Sequence, residues 1–286
     1  MRKQIKSLIP PLLWDKMQYI RSYKHFIKYK DLVAKNSELK DIHKGKRCFI
    51  LGSGPSIKKE DLKPLKNEIV FALNNFYVHE DFKEIMSGDV PKYYMTAPIH
   101  PPQTEDEWKS WFEDMESYMP KETNMLFGLN AYDGNIRHIF EKYGIFKEHK
   151  INWYFAGVNY NQEKFNDDAM DITKPIYSGE AVSIYSLILA IYMGFDEIYL
   201  LGMDHDYFLY DDESQMRMYE KAVHQQNEFE RTFGDTFYIR EFFRQYNIFS
   251  KYKAFDNHSN SKIFNASNGG ILKVFPKVKF ESLFKK

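Results

Sequence analysis

Residues 47–56 read RCFILGSGPS. Five residues, four of them apolar, run into a turn of two glycines and a proline. An apolar run of this length bounded by glycines is the pattern of a strand buried on both faces. Gly52 and Gly54 allow a sharp turn and a close approach of the backbone to a neighbour. Pro55 suits the first position of a helix, where its missing N–H costs nothing. The N–H groups of such a helix end favour an anion. The turn lacks the Gly-Lys-Ser/Thr of a P-loop, and Ile57 replaces the third glycine of a dinucleotide fingerprint. An ordinary tight strand-to-helix turn therefore stands beside the nucleotide-contact reading of Gly52, Ser53, Gly54, Pro55 and Ser56.

Outward from this turn, a polar helix is predicted to Lys66. Further strands are predicted at 68–73, 92–96, 124–128, 151–156, 197–201 and 262–265. Thr104 with Glu107 three residues on fits a capping box, so 104–118 reads as a helix. Helices are also predicted near 135–143, over 180–193 with Gly194 as the stop, and within 211–250. Strands alternating with helices give an α/β class: a Rossmann-like, mostly parallel sheet covered on both faces, with ligands at the carboxyl ends of its strands. The expected organisation is a basic helical extension over 1–45 and a nucleotide-sugar-binding α/β domain over 46–286, with a lid around 207–250.

Composition narrows the function classes. The chain has 286 residues, 43% hydrophobic and 17% aromatic, enough for a large core. Forty Lys/Arg balance forty Asp/Glu, which argues against a globally basic nucleic-acid binder. The single cysteine, Cys48, excludes an internal disulfide and a cysteine-rich zinc site. The longest uncharged apolar-rich run, residues 181–195, is shorter than the roughly 18–20 residues of a membrane span and reads as a buried helix. No secretory signal is read at the N-terminus, and a cytoplasmic location is expected. The first 30 residues nevertheless carry eight Lys/Arg against one acid, interleaved with Ile5, Leu8, Ile9, Leu12, Leu13, Trp14 and Met17. That mixture suits an anionic membrane surface, the alternative being a solvated helix packed on the domain.

Several other stretches follow strands directly. Asn74 and Asn75 offer side-chain amides that can read a base or ribose, or serve a local turn. Ser178 and Gly179 open the apolar helix, where Ser178 could cap it and Gly179 admit an anion. Residues 202–207, GMDHDY, gather two acids, an imidazole and a phenol. Asp204 and Asp206 match the Asp-x-Asp pattern that holds a metal on nucleotide-sugar diphosphates; an Asp capping the next element is the plainer role. His205, and His224 in the polar segment beyond it, are the histidines placed to serve as a base.

RCFILGSGPSI (47–57), FALNNFY (71–77), YSGEA (177–181) and GFDEIYLLGMDHDY (194–207) in this order resemble the bacterial sialyltransferases of glycosyltransferase family 42. They also resemble a related superfamily of motility-associated glycosyltransferases and 6-hydroxymethylpterin pyrophosphokinases, to which the closing FNASNGGILKVFPKVKFESLF (264–284) is similar. The resemblance implies an inverting glycosyltransferase that moves a sialic acid or related nonulosonic acid from a CMP-sugar to a surface glycan, in lipopolysaccharide or capsule biosynthesis. It implies that Gly52, Ser53, Gly54 and Ser56 lie near the phosphate and cytidine, that Asn74 touches the donor, and that Ser178 and Gly179 lie beside the donor sugar. Tyr207, and less directly Tyr210, would hold the leaving phosphate, with His224 as base and His205 as its alternative. No metal and no resident cofactor would be required, since CMP leaves as a monophosphate. The residue after Asp204 is His where the family has an aromatic, which shifts the tyrosine by one, and 208–250 does not align. Two rivals stay open: an ATP-using pyrophosphoryl transferase with a metal on Asp204 and Asp206, and a non-catalytic nucleotide-binding scaffold. The expected partners are the donor, a glycan or glycolipid acceptor and an anionic membrane, with a homo-oligomer admissible.

Overall fold

The computed structural model describes residues 10–157, 170–210, 215–219 and 236–285. Eight parallel strands form one sheet: β1 (Arg47–Leu51), β2 (Ile69–Leu73), β3 (Lys92–Thr96), β4 (Asn124–Leu129), β5 (Ile151–Ala156), β6 (Pro175–Ile176), β7 (Glu197–Leu201) and β8 (Lys262–Asn265). Their spatial order is β6-β5-β4-β3-β2-β1-β7-β8. The chain thus steps outward from β1 to β6, then returns to the other side of β1 with β7. The crevice at such a reversal of strand order is where open α/β sheets bind ligands.

Among the described residues the helices are α1 (Pro11–Ile27), α2 (Lys30–Val33), α3 (Phe82–Met86), α4 (Glu105–Tyr118), α5 (Ile136–Tyr143), α6 (Val182–Tyr192) and α7 (Phe237–His258). Side chains alternate across the pleat. Phe49 and Leu51 of β1 join one core with Phe112 of α4 and Ile139 of α5. Cys48 and Ile50 join the opposite core with Leu187 of α6 and Ile248, Tyr252 and Phe255 of α7. Burial on both faces is why β1 and β2 read as near-continuous apolar runs. The Thr104–Glu107 capping box is present at α4.

Two expectations are corrected. Residues 55–67 form two short 3₁₀ turns, Pro55–Lys59 and Lys63–Asn67, in place of one polar helix; Pro64 cannot donate inside a helix. The sequence reading missed β6. The N-terminal segment packs on the sheet: Asn36 donates to the carbonyls of Trp153 and Ile172, and Val33 and Leu39 are buried. Among the described residues, no helix is long and apolar enough to cross a membrane.

Candidate functional site at the reversal of strand order

The turns after β1 and β7 lie against each other. Gly52 N–H donates to Leu201 O at 2.8 Å and Gly54 N–H to Gly202 O at 2.9 Å. A Cβ at Gly54 would stand 2.5 Å from Asp204 Oδ2, so glycine is required by the neighbouring turn. Ser56 donates its N–H to Asp204 Oδ2 at 2.8 Å, and its hydroxyl to Asp204 Oδ1. Asp204 is buried, and burial raises its carboxyl above the ordinary value against the pull of the two Ser56 donors. The N–H groups that the sequence reading offered to a phosphate are therefore engaged at Ser56 by a carboxylate of the chain itself. Asp204 therefore braces the turn after β1, and no side chain among the described residues caps the short helical turn at Tyr207–Leu209 that follows it.

A cleft of about 700 Å³ runs along the carboxyl ends of β1 to β5 and β7. Gly52, Ser53, Gly54, Asn74 and Asn75 line it from one side of the crevice. Ser178, Gly179, Asp204, His205 and Tyr207 complete it. Four segments distant in sequence thus meet at one place. Pro55, Ser56 and Tyr210 do not line the cleft, and His224 lies outside the described residues.

The two asparagines have different duties. Asn75 accepts a hydrogen bond from Trp111 Nε1 at 2.5 Å and donates to the Tyr219 hydroxyl at 2.8 Å. These two bonds tie its amide to the cleft wall. Asn74 sits at φ 50°, a left-handed conformation that a short polar side chain tolerates. Its carbonyl accepts from the Tyr94 hydroxyl, and no side-chain hydrogen bond engages its amide among the described residues. It is the asparagine available to a ligand.

His205 is held from both sides. Gln245 gives its amide N–H to Glu241, so its oxygen faces the imidazole and His205 Nδ1 donates to it at 2.9 Å. Nε2 then accepts from the Tyr252 hydroxyl at 2.9 Å, and Tyr252 is linked in turn to Ser183. Burial, with the nearby Arg244 charge, lowers the imidazole to about 4 against the pull of Gln245. Both ring nitrogens of His205 thus have partners within the fold. Tyr210 donates to Asp206 Oδ2 at 3.1 Å and is pushed up to about 12 by burial and the Asp206 charge, so its hydroxyl too is engaged. Asp206 itself is raised by burial and by Asp204.

Ser178 and Gly179 are fixed through their backbone. Lys251 Nζ donates to Ser178 O at 3.1 Å, and the Tyr185 hydroxyl accepts from Gly179 N–H at 2.9 Å. Ser178 is not the cap of α6, whose N-cap is Ala181.

Arg217, Arg244 and His100 are among the cleft residues missed from sequence. Arg217 donates to the Tyr219 hydroxyl at 2.9 Å, with its guanidinium 5.7 Å from the Tyr207 ring centroid. Arg244 is held by Glu241 at 3.0 Å. His100 bonds Pro101 O through Nδ1 at 2.7 Å. A ring nitrogen bonded to a carbonyl must carry the proton, so Nε2 keeps its lone pair. His100 had no local signal, and Arg217 and Arg244 fall where no alignment held.

No family model and no curated protein matches the chain. Among solved structures, it is similar to the sialyltransferase CstII from Campylobacter jejuni, determined in complex with a substrate analogue, cytidine-5'-monophosphate. The identity is 16%, over 82% of this chain and 85% of that one, with a TM-score of 0.45.

Proposed function

We propose that this chain is an inverting glycosyltransferase that takes a sialic acid or related nonulosonic acid from a CMP-sugar. The observation that supports the reading is the convergence of ten sequence-selected residues, from four separate segments, on one cleft at the reversal of strand order. Asn74 hydrogen-bonds the nucleotide, and the 178–179 backbone borders the sugar. As the acceptor oxygen attacks the anomeric carbon, the bond to the phosphate oxygen breaks and CMP leaves with the bonding pair. Tyr207 and the Arg217 guanidinium stabilise the charge that develops there. In the described cleft, His100 Nε2 is the lone pair assigned to take the acceptor proton; His224 keeps that role as the rival assignment.

Calorimetric titration with CMP, UDP, GDP and ATP, each with Mg²⁺ and with EDTA, tests the donor class. Selective CMP binding that survives EDTA is expected, and Asn74→Ala weakens it about tenfold, the worth of one hydrogen bond. Metal-dependent ATP binding with CMP silent sinks the reading in favour of pyrophosphoryl transfer. Once an acceptor is found, His100→Ala lowers kcat by about 10²–10⁴ with CMP affinity kept. The same loss in His224→Ala with His100→Ala unaffected moves the base to His224.

A further inference from the structure

Helix α1 has two opposed faces. Ser22 and Phe26 are buried, Ser22 lining the cleft and Phe26 packing edge-on against Phe155 at 5.5 Å. On the other side Leu13, Met17, Ile20 and Ile27 are 46–53% exposed. At 100° per residue these four fall in one stripe, diametrically opposite Ser22. Lys24 lies within that stripe, and the exposed Lys16, Arg21 and Lys28 flank it. Between Pro10 and Lys30 the chain holds five Lys/Arg against one acid, although its net charge is zero. An apolar stripe of this size left in water marks an interaction surface.

The charge pattern selects the occupant. A second copy related by a two-fold axis would set this basic rim against itself. An anionic lipid surface satisfies both features at once, taking the apolar side chains at the acyl boundary and the cations at its phosphates. We propose that α1 lies flat on an anionic bilayer through Leu13, Met17, Ile20 and Ile27. Its opposite side is a wall of the cleft, so one helix diameter, about 10–12 Å, separates the bilayer contact from the cleft. On the glycosyltransferase reading, the acceptor sugar is carried by a lipid.

Flotation of the full chain with vesicles, without nucleotide, tests the docking independently of any activity. Binding to vesicles containing phosphatidylglycerol is expected, with little to pure phosphatidylcholine, and high salt weakens it. Reversal of Lys16, Arg21 and Lys24 to Glu costs at least about fivefold per residue. Met17→Gln with Ile20→Gln abolishes binding, while the thermal midpoint stays within a few degrees because both positions are exposed. Equal binding to neutral and anionic vesicles, no binding, or binding untouched by these substitutions overturns the proposal. So does a dimer that the Met17→Gln and Ile20→Gln pair dissociates.

Discussion

Replacing Asp204 by alanine is expected to remove about 2–5 kcal/mol of stability and nucleotide binding with it. The carboxylate accepts from two donors of Ser56, and each buried donor left unsatisfied costs about 1–3 kcal/mol. The contacts of residue 204 with the loop after β8 run through its backbone, and alanine keeps them. Ile271 N–H donates to Asp204 O at 2.8 Å, and a Cβ at Gly270 would stand 2.4 Å from Asp204 Cα, so the loop after β8 is moulded on this residue. Asp204→Asn keeps one acceptor oxygen and falls between wild type and alanine. Urea unfolding and CMP titration of both variants give the check. A variant of unchanged stability that loses only metal-dependent binding points instead to a metal ligand, and the bracing role at Ser56 is then wrong.

Acidification from pH 6.5 towards 4 is expected to cost up to about 3 kcal/mol for each of two buried histidines. His43 is lowered to about 4 by burial and the Lys46 charge, and His205 to about 4 by burial and the Arg244 charge. The folded state holds both neutral, while the unfolded chain protonates them below the ordinary value of 6.5. The unfolded state then binds more protons, so stability is complete above 6.5 and is lost as the pH falls through the window. The slope approaches ~2.7 kcal/mol per pH unit when both contribute. Asp204 and Asp206, raised in the fold, act in the opposite sense at the acid end. Urea midpoints measured from pH 7 to 4.5 test this, with His43→Gln and His205→Gln each expected to remove about half of the slope. A flat profile between 6.5 and 5 rules it out.

The sheet was legible because it is covered on both faces. Burial leaves runs such as 69–73 and 198–201 apolar from end to end, and turn residues bound them. The two residues of β6, one a proline, carry no such pattern. Membership of the cleft was legible where a residue directly follows a strand, as at Gly52, Asn74 and Gly202. Duties within it were not, because each depends on partners far along the chain. Asp204 is 148 residues from Ser56, Asn75 is 144 from Tyr219, and His205 is 47 from Tyr252. Those pairings free Asn74 and occupy Asn75, though the two are adjacent and chemically identical.

The position of β1 between β2 and β7 also has a consequence for the order of synthesis. β1 is made first, yet its partner on one side, β7, begins at Glu197, paired with Arg47 about 150 residues earlier. At ribosomal rates of about 5–20 residues per second, the N–H and C=O groups along that side of β1 wait roughly 8–30 s for their partner. During that interval the centre of the finished sheet is an unprotected edge, open to pairing with another nascent chain. A chain truncated before β7 keeps that edge permanently, and its fate is aggregation rather than a partly working cleft.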